Sequence, residues 1–378
     1  MNKWITSVAR MARDTNQTDR PVFVTLTGDY PNIGDALIRR RSLAWARLCG
    51  DSVSAFVGRA PDMWCVQVGL QDDDSVYRQK DLAAWIAAIA KSPRGVTLVL
   101  EPGEVDLRLN QYKWECLVLL FTLLVKLKGG RIVRPPRSLS RPSRALTLVH
   151  AIGLRMSDTV LWREARSEAL VRQGQVAPDI AFSEPQYGSE ASNRRRLIVS
   201  LRGLRPSPSD AWLEGVRGFA QDLDLEITVV AQVRQDEIRT VELADALGGE
   251  CVSFGDRDDL EQERLLRSVY RESVLVISDR LHVLILAALG GALPCEVVPA
   301  PSAKVRDHFA AAGIKEVSFD AEGGTADEVR AFLRSVYVRR TEILKGVEDA
   351  HRQLKKIESA LSLHRKDTGR RQPSGVQG

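Results

Sequence analysis

Arg280 and His282 sit in ISDRLHVLILAALGGALP (Ile277–Pro294), between a short apolar strand and a long apolar helix. A cap at Ser278 or Asp279 places both in the first helical turn, where free backbone N–H groups and the helix dipole attract an anion. The guanidinium adds a bidentate fork suited to phosphate or carboxylate. An imidazole can carry a proton near neutral pH. The pair therefore predicts an anion site with a proton donor beside it.

Other strand-to-helix turns offer matching groups. Arg202 closes the strand LIVSLR, with Arg205 three residues on, and a surface ion pair is the competing role. Gln232 and Asp236 end the next strand in VVAQVRQDE, and Lys304 in PAPSAKVRDHF would approach the same anion from the other side. Asn32, Gly34 and Asp35 occupy the turn TGDYPNIGDALI, where Asp35 can cap the helix or face a ligand. Asp179 lies in APDIAF. His308, His351 and His364 read as polar-helix or tail residues, and His150 as structural. QDDDS (Gln71–Ser75) reads as a solvated turn rather than a metal motif. With no GxGxxG, P-loop, GxSxG, HExxH or paired Cys/His array, nucleotide, hydrolase and zinc sites have no anchor in the sequence, and no metal is expected.

These turns need a scaffold, and the alternation of strands and helices predicts an α/β architecture with parallel sheets. PVFVTLTG, GVTLVLEP and RIVRPP read as strands of one half, and LIVSLRG, ITVVAQV, CVSF and VLVISDR as strands of another. The polar stretch SEPQYGSEASNRRR (Ser183–Arg196) reads as the linker between them. Residues 1–185 and 186–335 are thus expected to form two Rossmann-like domains facing across a cleft, and 336–378 a basic helix and tail. In open parallel sheets ligands settle beyond the strands' carboxyl ends, where the named residues lie.

The 378 residues are 44% hydrophobic and 27% charged, an ordinary globular composition, with a net charge of +5 that favours anionic partners. Part of that excess lies in HRKDTGRRQPSGVQG, which reads as a solvated tail. The five cysteines are scattered and read as mostly buried, reduced thiols of a cytoplasmic protein. The start MNKWITSVARMARD lacks the apolar stretch of a signal peptide. CLVLLFTLLV (Cys116–Val125), too short to cross a bilayer, reads as a buried core helix. For the basic C-terminal helix two outcomes are open: docking at the anionic inner face of a membrane, or packing back across the domains.

In chain order, Asn32-x-Gly34-Asp35, Pro178-Asp179 with Phe182, Arg202, Arg280-Leu281-His282 and Lys304 resemble the polysaccharide pyruvyltransferase family. WREARSEALVRQ (Trp162–Gln173) is similar to the family's helix before its Pro-Asp motif. The likeness runs from about Val22 to Phe309. It implies two Rossmann-like domains of the glycosyltransferase-B type, with the acceptor on the N-terminal side and phosphoenolpyruvate on the C-terminal side. It also implies transfer of the enolpyruvyl unit onto a sugar of a cell-surface glycan or its lipid-linked precursor, without a cofactor. His282 would be the general acid and Asp35 would orient or deprotonate the acceptor. Arg202, Arg280 and Lys304, with Asn32, Asp179 and Gln232, would line the substrates. Two segments depart from the family pattern, LEPGEVD (Leu100–Asp106) and SLSRP (Ser138–Pro142), both on the acceptor side. The other readings are a glycosyltransferase using a nucleotide sugar, whose ribose carboxylate could be Glu226, Glu237, Glu261 or Glu263, and a non-catalytic relative.

Overall fold

The computed structural model describes residues 20–30, 32–188 and 194–367. The first of two sheets contains β1 (Pro21–Thr25), β2 (Ser52–Gly58), β3 (Ser75–Arg78), β4 (Thr97–Val99), β5 (Gly103–Asp106), β6 (Arg131–Ser140), β7 (Thr159–Trp162) and β8 (Gln175–Val176). Its order is β3-β2-β1-β4-β6-β7-β8, with β5 paired to β6 off that path. The second contains β9 (Arg196–Ser200), β10 (Glu226–Val230), β11 (Glu250–Val252), β12 (Ser273–Ser278), β13 (Leu293–Val298) and β14 (Ser318–Asp320), in the order β11-β10-β9-β12-β13-β14. Neighbouring strands pair in parallel throughout. Each order reverses beside its first strand, opening a crevice between β1 and β4 and another between β9 and β12.

Helices α1 (Ile33–Cys49), α2 (Asp62–Gln67), α3 (Leu82–Lys91), α4 (Tyr112–Leu127), α5 (Arg144–Arg155) and α6 (Ala165–Val171) accompany the first sheet. Helices α7 (Asp210–Asp222), α8 (Glu237–Leu247), α9 (Asp259–Arg271), α10 (Leu281–Leu289), α11 (Ala303–Ala311) and α12 (Ala326–Val338) accompany the second. Parallel strands covered on both faces must be apolar along their whole length, and every residue of β12 and β13 is buried. A helix apolar on all sides belongs in the interior. In α10 every residue is buried except His282, in its first turn.

The last helix, α13 (Arg340–Asp367), runs back onto the first half. It buries Ile343, Val347, Ala350, Leu354 and Leu361. Its Glu358 accepts hydrogen bonds from the Trp45 indole at 2.9 Å and Arg41 at 3.0 Å. Packing across the domains is therefore the outcome for the basic helix. Beside it, Arg40 pairs with Glu263 at 2.6 Å, and Arg267 pairs with Glu263 at 2.7 Å and Glu184 at 2.9 Å, tying α1 to α9 behind the cleft.

Several local expectations need correction. The strand expected over RIVRPP continues to Ser140, because its prolines fall where the pairing with β7 changes register between Arg134 and Arg137. LEPGEVD contributes the extra strand β5, pairing with the end of β6. His150, read as structural, lies within α5, buried and paired with Glu115 at 2.9 Å. Only Cys49 and Cys295 are buried, Cys116 and Cys251 being exposed. The apolar run Cys116–Val125 is not a wholly buried helix, since α4 leaves Cys116, Leu120 and Leu123 exposed. No helix among the described residues is long and apolar enough to cross a membrane.

Candidate functional site

The turns after β1 and β12 meet where the two halves face each other. Asn32 caps α1, its side-chain oxygen accepting from the backbone N–H groups of Gly34 at 3.0 Å and Asp35 at 3.4 Å. Asp35, the expected cap, instead accepts from the Asp29 N–H at 2.9 Å and pairs with Arg39 at 3.2 Å. The Gly34 backbone lies directly against the His282 ring. A Cβ at Gly34 would stand 2.5 Å from His282 Nδ1, so only glycine permits this approach.

His282 Nε2 lies 3.7 Å from Asp179 Oδ2, an ion-pair rather than a hydrogen-bond separation. Asp179 is fully buried, accepts from the Ala181 N–H at 2.9 Å and is paired with buried Arg163 at 2.8 Å. Burial alone would raise the Asp179 pKa, but the charge of Arg163 and the neighbouring His282 hold it well below the usual carboxylate range. Arg163 also donates to Ser138 Oγ at 3.1 Å, so the SLSRP segment supports this ion pair.

His308, expected on a polar helix face, is instead buried next to this group. Its Nδ1 lies 2.5 Å from the Lys304 carbonyl oxygen. Burial, then the charge of Arg163, pushes its pKa well below the ordinary imidazole value, so it is neutral at pH 7. The nearest sequence cue to Arg163 was Asp179 itself, because a buried carboxylate requires a cation. His308 gave no such cue.

The C-terminal crevice gathers cations. The Arg202 N–H donates to Asp279 Oδ1 at 3.1 Å, and Arg205 Nε lies 3.1 Å from Asp279 Oδ2. Arg280 is held by Asp236 at 2.6 Å, and Asp236 also accepts from the Gly203 N–H at 3.0 Å. Arg280 itself is the N-cap of α10, with its N–H donating to Ser278 Oγ at 3.0 Å. Lys304 reaches across to Glu104 on β5, 3.3 Å away. Burial lowers the pKa of both Arg202 and Lys304, and the positive neighbours Arg280 and Arg205 for one, Arg163 and Arg202 for the other, lower them further. Cations crowded in this way favour an anionic ligand, which would relieve their repulsion. Gln232 is buried at the end of β10 but is not among the side chains that bond to this group.

Across the interface, the N-terminal crevice holds a cavity of about 330 Å³, lined by Thr27, Arg39, Glu101, Glu104, Trp114 and Arg137 among others. Glu101 accepts from the Thr27 hydroxyl at 2.6 Å and the Trp114 indole at 3.3 Å. Arg137 donates to the Glu101 carbonyl, and burial pushes its pKa down to about 10. Carboxylates, guanidinium groups and an indole together suit a polyhydroxylated ligand. The LEPGEVD segment contributes Leu100, Glu101 and Glu104 to this wall.

Glu296, fully buried in β13, sits behind the arginines and accepts from Ser318 Oγ at 2.5 Å. Burial, with the nearby Asp279 charge, pushes its carboxyl up to about 7. A carboxyl raised on folding stabilises fully below its unfolded value, near 4.5, and that contribution is lost as pH rises through about 7. Wild type is therefore expected to lose about 3 kcal/mol relative to Glu296→Gln between pH 5 and 8. Parallel melting curves over that range check this, and a constant gap would refute it.

No protein-family model and no curated protein sequence matches the chain. Solved structures do match it in shape. One, assigned as a UDP-N-acetylglucosamine 2-epimerase from Listeria monocytogenes, is 13% identical with a TM-score of 0.56, covering 95% of this chain and 100% of its own. Another, HepE from Anabaena in complex with UDP, is 11% identical with a TM-score of 0.53, covering 92% and 99%. At such identities the likeness is one of architecture: the chain has the α/β fold of two parallel-sheet Rossmann-like halves found in glycosyltransferase-B-like proteins.

Proposed function

We propose that the protein is a phosphoenolpyruvate-dependent pyruvyltransferase acting on a sugar of a cell-surface glycan or its lipid-linked precursor. The observation that carries this reading is the convergence of Arg163, Arg202, Arg205, Arg280 and Lys304 around the first turn of α10, where His282 is the least buried residue. Phosphoenolpyruvate brings a phosphate and a carboxylate, and Arg202, Arg280 and Lys304 clamp them. His282 gives a proton to the vinyl carbon C3, leaving positive charge at C2. One sugar hydroxyl oxygen bonds to C2 as its proton passes to Asp35. The C2–O bond to phosphate then breaks, and the second hydroxyl oxygen takes that place. Of the two hydroxyl protons, one ends on the new methyl group by way of His282 and the other leaves with phosphate. Asp179, held by Arg163, orients the imidazole. Asn32 contributes through the α1 turn that sets Gly34 against His282. The reaction needs no cofactor, because the cations compensate the developing charge.

The second reading, a glycosyltransferase using a nucleotide sugar, draws support from HepE, whose structure carries UDP on a similar fold. Against it, Glu263 is occupied by Arg40 and Arg267, Glu261 closes a capping box with Asp258, and Glu237 accepts from the Gly255 N–H. A thermal-shift comparison separates the two. At a hundredfold excess over its Kd, a ligand stabilises by about 2.7 kcal/mol, a rise of several degrees. Phosphoenolpyruvate is expected to give this rise and UDP-sugars or GDP-sugars none. Stabilisation by nucleotide sugars alone would reverse the assignment.

A further inference from the structure

Helix α4 buries Val118, Phe121 and Val125 against the sheet, yet its opposite face is not polar. Tyr112, Leu120, Leu123 and Leu127 follow one another at helical spacing along it, and Leu127 is 75% exposed. On the adjoining helix α5, Leu148 and Ile152 are exposed one turn apart, Leu148 at 63%. The two helices are joined by the buried Glu115–His150 pair at 2.9 Å and by Leu119, whose Cδ1 lies 3.9 Å from the Cβ position of Gly153. The two exposed apolar rows therefore lie on helices packed side by side. Exposed apolar surface of this kind marks a docking face.

Its surroundings decide what docks. Lys113, Arg144 and Arg155 are exposed beside it and join no ion pair among the described residues. Asp158, the carboxylate beside Arg155's helix, is paired with Lys126 at 3.1 Å. Two copies meeting face to face through this strip would set these cations against one another. An anionic lipid surface would neutralise them while taking up the leucines. The position fits too, because Gln111, just before α4, and Trp114 and Val118 in its first half line the 330 Å³ cavity.

We propose that the α4–α5 face is a peripheral membrane-docking surface for anionic phospholipid bilayers, holding the mouth of the N-terminal cavity at the lipid interface. The inference does not depend on which donor the protein uses. The test is sedimentation of the full chain with vesicles of phosphatidylcholine alone and of phosphatidylcholine with phosphatidylglycerol at about 3:1, at low and high salt. Wild type should bind the anionic vesicles and lose several-fold in 0.5 M salt, where the Debye length shrinks to about 4 Å and exposed charges are largely screened. Leu123→Glu/Leu127→Glu should weaken binding by at least about tenfold without changing the melting temperature, since both side chains are exposed. Arg352→Glu/Lys356→Glu on the exposed face of α13 should leave it unchanged. Equal binding by the leucine variant, loss that follows the α13 variant, or no binding by wild type would overturn the proposal. So would a wild-type dimer, seen by light scattering, that the leucine variant converts to a monomer.

Discussion

Replacing His282 by glutamine is expected to slow phosphate release from phosphoenolpyruvate by about 10²–10⁴-fold, the usual contribution of a positioned general acid. The fold should survive, because the ring lies at the rim of α10 and makes no hydrogen bond that the helix requires. Glutamine keeps polarity and much of the volume packed against Gly34 but cannot deliver a proton to carbon. Two measurements on one preparation make the result interpretable. Phosphate release reports the chemistry, and stabilisation by phosphoenolpyruvate reports whether the arginines still bind the donor. Retained binding with lost turnover assigns the proton to His282. An unchanged rate would remove that assignment and leave the cationic site standing.

The largest effect on stability is expected from Arg163→Met. Arg163 and Asp179 are both buried and 2.8 Å apart. Methionine fills much of the space but leaves Asp179 with the Ala181 N–H and a His282 imidazole 3.7 Å away. Removing one partner of a buried ion pair costs about 3–5 kcal/mol, because the remaining charge has lost its solvation and its counter-charge. The pH dependence distinguishes this cause from lost packing. Because Asp179 is depressed on folding, its contribution is present above the unfolded carboxylate value, near 3.8, and falls away as pH drops below it toward the folded value. Wild-type stability should therefore decline on acidification more steeply than that of Arg163→Met, so that the gap narrows toward pH 3. A gap that stays constant with pH would point to packing alone. Asp179→Asn should also slow turnover, by loosening the hold on His282.

The architecture was legible because parallel strands covered on both faces must be apolar, so LIVS, VLVIS and VFVT declared themselves and the turns after them followed. Arg280, His282, Arg202 and Asp35 could be placed at one interface for that reason. Gly34 is a sharper case. The sequence offered a permissive turn residue, whereas the contact with His282 comes from a helix some 250 residues away and could not be read locally. His308 was missed because KVRDHF looks like a solvated helix, and only the docking of α11 against the Asp179 group buries it. Helix α4 was misread in the opposite sense. Hydropathy records that CLVLLFTLLV avoids charge, but the same composition serves a core and an exposed apolar strip equally well. Strand β5 escaped because four residues with two carboxylates carry no strand pattern of their own, and β6 supplies the pairing.

The return of α13 has a consequence for synthesis. Trp45 on α1 finds its partner Glu358 only after 313 further residues have been made. A ribosome therefore releases the first sheet and its helices long before the strip of surface around Trp45 and Arg41 can be closed. During that interval the N-terminal half is an incomplete body with an apolar flank, the kind of intermediate that nascent-chain chaperones hold. The turns of α13 act as the latch that ends this exposure, and a premature stop before Ile343 would leave both halves made and the seam between them open.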